Sequence, residues 1–293
     1  MKKVPAILGP TAVGKSKVAF ELAQALDYDV LVADSRQVYR RLEIATNKPL
    51  PEDRARVIYH GIDLVDPELG FNVHQYIEAV APHLRANRGV IVEGGSNLYV
   101  DALLDGLTLG GVPPRPERRA ELDKLALDEL AALARRLDPD VTLDFANRVR
   151  LVRAIEVLEV AGPPLSRLRG RVRPPWTGVR IGLRLPLEEL HARIEARCAE
   201  QLKRGLVEET QEALAAGVPA RSQALTGTGY AEAVAHLEGR ISRAELPDLM
   251  ARNNRRLAKR QLTWLRRDPR IRWFEAAGNS LPAILIYLKD ELA

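Results

Sequence analysis

The chain has 293 residues, of which 46% are hydrophobic and 28% are charged, and its formal net charge at pH 7 is +5. This length and composition predict one large or two modest globular domains and exclude a disordered chain, while the single cysteine, Cys198, excludes a disulfide framework and a zinc site built on thiolates. The apolar stretch near the amino terminus is too short for a signal peptide core, and no later window has the uncharged length of a membrane span, so we expect a cytoplasmic protein.

A glycine-rich loop follows the first predicted strand, Val4–Leu8, and precedes a predicted helix over Lys17–Ala25. The loop has the spacing GxxxxGK[ST] and consists of Gly9, Pro10, Thr11, Ala12, Val13, Gly14, Lys15 and Ser16. In this pattern backbone N–H groups and the helix N-terminus face phosphate oxygens, Lys15 adds a positive charge and the Ser16 hydroxyl suits Mg²⁺. We predict a site for a phosphorylated ligand, although the loop alone leaves open whether the phosphoryl group is transferred.

The second predicted strand, Val30–Ala33, ends in Asp34, and in open parallel sheets ligands bind at this end of the strands. There Asp34 would hold Mg²⁺ through water or accept a proton from a nucleophile. The alternative is a structural role, in which Asp34 stabilises a turn or caps the N-terminus of a helix. Lys48 would neutralise phosphate or lie alone on the surface.

Further apolar runs at Val90–Val92 and Val179–Leu185, together with a predicted helix over Val73–Arg85, complete the βαβ rhythm of a parallel sheet covered by helices. The run Val90–Val92 leads into Glu93-Gly94-Gly95-Ser96, where two glycines allow the backbone to approach a ligand closely. We expect Ser96 to cap the next helix in preference to touching a ligand.

A helical insertion is predicted over residues 113–178, within a core formed by residues 1–112 and 179–293. Leucines at helical spacing from Leu122 to Leu137 predict one helix, and a second is predicted over Thr142–Val160. On the second helix Arg150 and Arg153 lie one turn apart, where they would grip neighbouring phosphates. An ion pair of Arg153 with Glu156 or Glu159 is the competing explanation.

Helices over Leu187–Ala216, Gly229–Glu238 and Pro247–Arg267 are predicted to finish the core. Two basic segments stand out. Between Val160 and Leu187 there are arginines and no acid, and residues 250–272 hold nine basic residues against Asp268 alone. They suggest a polyanion larger than a nucleotide, with solvated helix faces as the alternative. In the second segment we expect Trp264 to be a core residue.

Six sequence pieces, taken in order, resemble the bacterial tRNA dimethylallyltransferases, also called tRNA isopentenyltransferases. They span Gly9 to Arg266 and read GPTAVGKS, DSRQVY, TNKP, EGGSNLY, RLVRAIE and AKRQLTWLR. The resemblance implies a P-loop core similar to nucleotide kinases with a helical insertion that clasps the tRNA anticodon stem-loop. It implies transfer of the dimethylallyl group from dimethylallyl diphosphate to N6 of the adenosine 3′-adjacent to the anticodon.

The resemblance also assigns roles to residues of this chain. The loop residues 9–16 would bind the diphosphate, with Thr11 bonded to its oxygens and Ser16 on Mg²⁺. Asp34 would accept the N6 proton, and Ser35, Arg36 and Gln37 would contact the target base, which must be flipped out of its stack. Positions that meet tRNA in the family are matched by Ser96, Arg118, Arg150 and Arg153. A monomer is the default expectation.

Several positions depart from the family's pattern. Glu93 stands where the family has valine or leucine before Gly-Gly, and Ala146-Asn147 replaces an Asn-Asp pair. Thr226 and Ala231 replace basic residues around Gly-Tyr, so we expect no tRNA contact from these two.

Three other functions remain open at this point. A P-loop kinase using ATP and an Arg-rich lid would explain the loop and Asp34 but not the basic carboxyl-terminal helix. A prenyltransferase acting on free adenine nucleotides would have no use for the long basic surface. A nonenzymatic RNA-binding protein would not need Lys15 and Asp34.

Overall fold

The computed structural model describes residues 1–86, 88–109 and 111–293. Contacts divide the chain into two compact units. The core unit comprises Met1–Leu104 and Pro175–Ala293, and the inserted unit comprises Asp105–Pro174. The inserted unit starts earlier than the predicted range 113–178, because a short strand at Leu107–Leu109 pairs with Arg169–Arg171. It ends earlier because a strand of the core unit already begins at Trp176.

The strands of the described residues are β1 (Lys2–Leu8), β2 (Asp29–Val32), β3 (Tyr59–His60), β4 (Val90–Gly94), β5 (Leu107–Leu109), β6 (Arg169–Arg171), β7 (Trp176–Arg184) and β8 (Arg272–Glu275). In the core unit six of them form one parallel sheet in the order β3-β2-β4-β1-β7-β8. The parallel sheet and the four predicted strands are confirmed.

The helices of the described residues are α1 (Lys15–Leu26), α2 (Pro51–Arg54), α3 (Val73–Arg85), α4 (Asn97–Asp105), α5 (Pro116–Leu122), α6 (Leu127–Leu137), α7 (Arg148–Ala161), α8 (Leu165–Leu168), α9 (Leu187–Lys203), α10 (Leu206–Ala215), α11 (Tyr230–Leu237), α12 (Leu246–Leu265) and α13 (Leu281–Leu292). The range predicted for α3 is confirmed, and its start is fixed by a capping box between Asn72 and Gln75. Cys198 is buried within α9.

The core unit differs from the prediction at two places. The helix expected over Leu187–Ala216 is interrupted between α9 and α10, because Gly205 takes the left-handed conformation with φ 93°. In addition, β8 and α13 follow the last predicted helix. The β8 sequence Arg-Trp-Phe-Glu is too short to show an alternating pattern, although it pairs along β7 from Ile181 to Arg184.

The inserted unit has its own hydrophobic core, built by leucines and alanines of α5, α6 and α7. The single helix predicted over Leu122–Leu137 is wrong. The first helix, α5, ends at Leu122, and α6 begins after the extended residue Ala126, whose amide donates to the Glu129 carboxylate at 2.6 Å. The leucine spacing continues through the turn, so periodicity alone did not reveal it.

Candidate active site

Strand register brings three loops to one edge of the sheet. Leu8 of β1 lies beside Gly94 of β4, and Val32 of β2 lies beside Glu93. The glycine-rich loop, Asp34 and the Gly94-Gly95 turn therefore leave neighbouring strands at the same carboxyl end. Ligands of open parallel sheets bind at this position.

The glycine-rich loop adopts a backbone that its residue types permit. Gly14 has φ 105°, and Ala12 also lies in the left-handed region with φ 65°. A Cβ at Gly9 would lie 2.8 Å from the carbonyl oxygen of Leu183 on β7, so only glycine fits there. Lys15 is buried and donates to the carbonyl of Pro10 at 2.9 Å. This bond folds the lysine back over its own loop.

The metal-ligand candidate Ser16 has an acidic partner. Its hydroxyl donates to Glu93 Oε1 at 3.2 Å, and Glu93 is only 4% exposed. Burial raises the pKa of Glu93, while the positive charge of Lys15 acts to lower it. Burial likewise lowers the pKa of Lys15, against the charges of Glu93 and Asp34. Two buried titratable groups, Lys15 of the loop and Glu93 of β4, therefore influence each other at this end of the sheet, and Glu93 also bonds to the Ser16 hydroxyl.

These oxygens suit a magnesium ion. Mg²⁺ prefers oxygen ligands and usually takes one or two protein groups, completing its shell with water and substrate phosphate. Among the described residues, no cluster of three or more His, Cys, Asp or Glu side chains has the arrangement of a metal site. Ser16, with Glu93 beside it, thus fits a Mg²⁺ that arrives with a phosphorylated ligand better than one held by protein alone.

Asp34 has a fixed orientation at the end of β2. Its Oδ1 accepts the amide hydrogen of Arg36 at 2.8 Å. The Arg36 guanidinium in turn donates to the carbonyl of Gln223 and, at 3.4 Å, to the hydroxyl of Thr226. The bond to the Arg36 amide is the predicted turn alternative, whereas no helix begins directly after Asp34 in this described segment. The carboxylate also lies close enough to Lys15 to affect its pKa. The Asp34 carboxylate therefore lies close enough to the glycine-rich loop, the phosphate loop of residues 9–16, for its charge to act on Lys15.

Ser96 and Ser35 hold the two other loops together. The Ser96 hydroxyl accepts from the Ser35 amide at 2.9 Å and donates to the Ser35 hydroxyl at 3.1 Å. The backbone carbonyl of Ser96 opens α4 by accepting from Tyr99. The expectation that the Ser96 side chain caps this helix is wrong, since its hydroxyl is bonded to the β2 loop instead.

Gln37 is buried, and its side-chain oxygen stands out. Within the part of the chain that the structure describes, Gln37 Oε1 has no hydrogen-bond partner. A buried carbonyl oxygen without a partner costs free energy, which a ligand that donates a hydrogen bond would recover.

Gln261 is a site residue that the sequence did not reveal. This side chain of α12 accepts from the Thr11 amide at 2.8 Å and donates to the Gly95 carbonyl at 2.7 Å. A Cβ at Gly95 would lie 2.7 Å from Gln261 Nε2, so the glycine makes room for the contact. The side-chain amide of Gln261 thus joins the phosphate loop to the Gly94-Gly95 turn. A polar residue among the apolar positions of α12 was the available signal.

We expect Gln261→Leu to loosen the phosphate loop. The substitution leaves the Thr11 amide and the Gly95 carbonyl without their partner, which costs about 1–3 kcal/mol for each buried group that water does not reach. Urea unfolding should show a lower free energy of unfolding, and calorimetry should show weaker pyrophosphate binding. Gln211→Leu on the exposed face of α10 is the matched control. Unchanged stability and binding in Gln261→Leu would make this link unimportant.

Two arginines of α9 also lie near the loop. Arg193 donates to the carbonyl of Val13 at 3.4 Å. Arg197 donates to Asn254 at 3.1 Å, and its charge acts to lower the pKa of Lys15. Its Nε atom is buried without a partner among the described residues. Arg197 thus adds a second positive charge to the phosphate end of the site.

One face of α12 forms a basic surface in the core unit. Arg252, Arg256, Lys259 and Thr263 are all exposed, while Gln261 on the other side is buried. The prediction of a core position for Trp264 is wrong. Its side chain is 43% exposed, and its indole N–H donates to Asp101 at 3.2 Å.

The first basic segment is not one continuous surface. Arg180 is buried in β7 and lies 3.3 Å from Asp268, and Arg184 pairs with Glu275 at 2.6 Å. Arg171 belongs to the inserted unit and pairs with Asp105 at 3.4 Å. The side chains of Arg167 and Arg169 lie outside the described part.

The arginines predicted to bind tRNA in the inserted unit differ in whether their guanidinium groups have partners. Arg118 forms a bidentate pair with Glu159, with its shortest contact at 2.6 Å. Arg153 donates to the Val112 carbonyl at 2.7 Å and lies 3.6 Å from Glu156, which is the competing explanation weighed for it. Arg150 is exposed, and only its backbone amide is engaged, by the Asn147 side chain.

Lys48 is a buried residue whose ammonium group is paired with protein oxygens. It is buried and donates to the Tyr39 carbonyl at 2.6 Å, to Glu43 at 2.7 Å and to Asp63 at 2.5 Å. Both predictions for Lys48, a phosphate contact and a lone surface lysine, are therefore wrong.

None of the helices in the described residues combines the length and apolar character needed to cross a membrane.

Comparison with known proteins agrees with this geometry. A family model described as IPP transferase matches residues 37–268. A tRNA dimethylallyltransferase of Thermomicrobium roseum is 40% identical over 287 residues, which cover 94% of this chain and 86% of that protein. The protein of the same name from Geobacter sulfurreducens is 40% identical over 295 residues, covering 94% and 93%.

Solved structures lead to the same family. The full-length tRNA isopentenylpyrophosphate transferase of Bacillus halodurans is 31% identical and gives a TM-score of 0.75, with coverage of 100% of this chain and 97% of that one. A eukaryotic dimethylallyltransferase, solved acting on tRNA, shares the fold with a TM-score of 0.82 at 22% identity. The parallel P-loop core and the matches over most of the chain therefore show that this protein belongs to the IPP transferase family, to which tRNA dimethylallyltransferases belong.

Proposed function

We propose that this protein transfers the dimethylallyl group of dimethylallyl diphosphate to N6 of the adenosine 3′-adjacent to the anticodon of tRNA. In this reaction the N6–carbon bond forms, the bond between the allylic carbon and the diphosphate oxygen breaks, and one N6 proton is lost. The names of the relatives support the activity. We further propose that the protein works as a cytoplasmic monomer.

The observation that carries the proposal is the placement of Asp34 next to a phosphate-binding loop. Val32 and Leu8 end strands that both neighbour β4, so an acceptor held by Asp34 and a diphosphate held by the loop would meet at one edge. A kinase would share this geometry, but it would not use the basic face of α12.

Asp34 is proposed as the general base that takes the N6 proton. Its Oδ1 bond to the Arg36 amide fixes the carboxyl group, so the second oxygen is held for the acceptor. A base within hydrogen-bond reach of the reacting amine contributes to catalysis when it is pre-positioned in this way.

The loop amides of residues 11–16 and the Lys15 ammonium are proposed to bind the diphosphate and to oppose the charge that grows on it as it leaves. Thr11 is proposed to bond to diphosphate oxygens. Mg²⁺, bound at Ser16, would supply further positive charge to the leaving group. The Arg197 charge near Lys15 supports the same role.

The target adenosine must leave its stack to reach this edge of the sheet. Gln37 supports binding of the flipped base, because its unpartnered Oε1 can accept from an adenine N–H group. We propose that Ser35 and Arg36 line the same pocket, with Ser96 holding Ser35 in place.

The remaining tRNA contacts are proposed to be electrostatic. The exposed face of α12 would follow backbone phosphates, and Arg118, Arg150 and Arg153 of the inserted unit would contact the anticodon stem-loop. Of these three arginines, Arg150 is the one whose guanidinium forms no ion pair or hydrogen bond with the residues that the structure describes.

Mass analysis of nucleosides tests the proposal directly. Unmodified tRNA is incubated with the protein, dimethylallyl diphosphate and Mg²⁺, then digested to nucleosides. We expect a dimethylallyl adenosine that is absent when the donor is omitted. Release of ADP from ATP and a nucleotide would favour the kinase, and preferential modification of AMP over tRNA would favour a prenyltransferase for free nucleotides.

We expect Arg150→Ala to weaken tRNA binding and to flatten its dependence on salt. Loss of one phosphate contact should reduce the slope of log K against log salt by about 1. Binding titrations at several salt concentrations measure this, with Arg240→Ala, an exposed arginine after α11, as the matched control. An unchanged slope would give Arg150 a structural role only.

A further inference from the structure

Glu93 is a charged group that the proposed chemistry leaves unexplained. It is the last residue but one of β4, is almost fully buried and accepts the Ser16 hydroxyl hydrogen at 3.2 Å. The three residues before it in β4, Val90, Ile91 and Val92, are buried and apolar, as is favourable at such positions. A carboxylate there is costly unless a positive charge compensates it.

The nearby protein charges do not provide that compensation once a diphosphate binds. Lys15 and Arg197 are positive groups at the loop, and Glu93 and Asp34 are negative ones. Arg193 also reaches the loop, but its charge is paired with Glu189 at 2.7 Å. These four charges cancel one another. A diphosphate would add about two to three negative charges next to a buried carboxylate, at distances where like charges repel strongly.

A divalent cation resolves this conflict. The Ser16 hydroxyl donates its hydrogen to Glu93, which leaves the oxygen lone pairs of Ser16 available to a metal ion. A carboxylate that orients a metal-bound hydroxyl, or accepts from a water on the ion, typically contributes to metal affinity. Carboxylate and hydroxyl oxygens are ligands that Mg²⁺ and Mn²⁺ prefer.

We propose that Glu93, with Ser16, forms the protein's binding site for the divalent cation that accompanies the diphosphate. The proposal rests on the proposed role of the loop in diphosphate binding. It gives this chain an acidic metal-site residue at a position where the family pattern has none.

Metal binding, measured apart from activity, tests the assignment. Mn²⁺ is titrated into the full-length protein with saturating pyrophosphate, and bound Mn²⁺ is followed by electron paramagnetic resonance. Pyrophosphate affinity is also measured by calorimetry in the presence of a chelator. The variants are Glu93→Gln, which keeps the shape and removes the charge, and Glu93→Val, which carries the family's residue. Glu21→Gln on the surface of α1 is the control.

Mn²⁺ affinity should fall in both variants, whereas pyrophosphate affinity without metal should not. We expect Glu93→Gln and Glu93→Val to weaken Mn²⁺ binding about 10-fold or more, as for other groups that support a metal ligand. Without metal, both should bind pyrophosphate at least as tightly as the unaltered protein, because a repelling charge is gone. A merely structural role for Glu93 would weaken both.

Mn²⁺ affinities within about twofold of the unaltered protein in both variants would overturn the assignment. So would a parallel loss of both affinities in the valine variant, which keeps the position apolar as the family does. If the unaltered protein bound no pyrophosphate even with Mn²⁺, the role of the loop itself would fail. The two failures are therefore distinguishable.

Discussion

Asp34→Asn and Asp34→Ala should lower the rate of dimethylallyl transfer by about 10²-fold or more while leaving tRNA affinity close to that of the unaltered protein, because each removes a general base. Asparagine can still accept the Arg36 amide hydrogen that Asp34 Oδ1 accepts at 2.8 Å, so the turn after β2 should persist. It cannot accept the N6 proton.

Single-turnover measurements with tRNA already bound separate the two effects. The transfer rate is followed with saturating dimethylallyl diphosphate, and tRNA affinity is measured by titration. Asp140→Asn, at an exposed position of the inserted unit, is the matched control. Near-normal turnover in Asp34→Asn would remove this residue from the mechanism, whereas a large loss of tRNA affinity would point to a binding role.

Glu156→Gln should destabilise the inserted unit by about 3 kcal/mol, the lower end of the cost of breaking a buried ion pair, because both arginine partners of Glu156 are partly exposed. The Glu156 side chain is 0% exposed and accepts two bonds from Arg119 at 2.9 and 2.7 Å. The Arg115 amide donates at 2.8 Å, and Arg153 lies 3.6 Å away. Glutamine removes the charge that these groups surround.

The same carboxyl should make the inserted unit sensitive to acid. Burial acts to raise the pKa of Glu156, but bonds from Arg119 and Arg115 and the charges of Arg119 and Arg153 outweigh it, so the net pKa is lowered. A carboxyl with a lower pKa in the folded chain adds full stability above its unfolded value of about 4.3. That stability is lost as pH falls from there through the folded pKa.

Urea unfolding with limited proteolysis checks both expectations. Cleavage of Glu156→Gln should rise within residues 105–174 at neutral pH, and its stability should depend less on pH below about 4.3 than that of the unaltered protein. Glu121→Gln, an exposed partner of Arg118, should change stability by less than about 0.5 kcal/mol. Equal stability of both variants would show that the Glu156 cluster contributes little.

The phosphate end of the site was predictable because its information is local. The loop motif determines a strand, a turn and a helix within a few residues, and both β1 and α1 were expected close to their observed bounds. The apolar runs of β2 and β4 likewise identified where Asp34 leaves the sheet. Such predictions require only short-range patterns and the rule that parallel strands end together.

Other parts of the site depend on contacts between distant residues. The bonds of Gln261 to Thr11 and Gly95 join positions far apart in the chain, and no spacing rule reports them. The placement of Glu93 against Ser16 depends on the register of β4 against β1. The exposure of Trp264 likewise depends on which face of α12 packs inward.

The sheet order has a consequence for synthesis on the ribosome. β1 lies between β4 and β7, but the inserted unit separates these two strands in sequence. At typical translation rates, about 4–16 s pass between completion of β4 and emergence of β7. Throughout that time the nascent chain presents an unfinished apolar strand edge next to the phosphate loop, a surface that chaperones recognise and other nascent chains can pair with. The β1–β7 pairing that positions Gly9 against Leu183 thus joins residues far apart in the chain, and contacts of this kind generally slow folding.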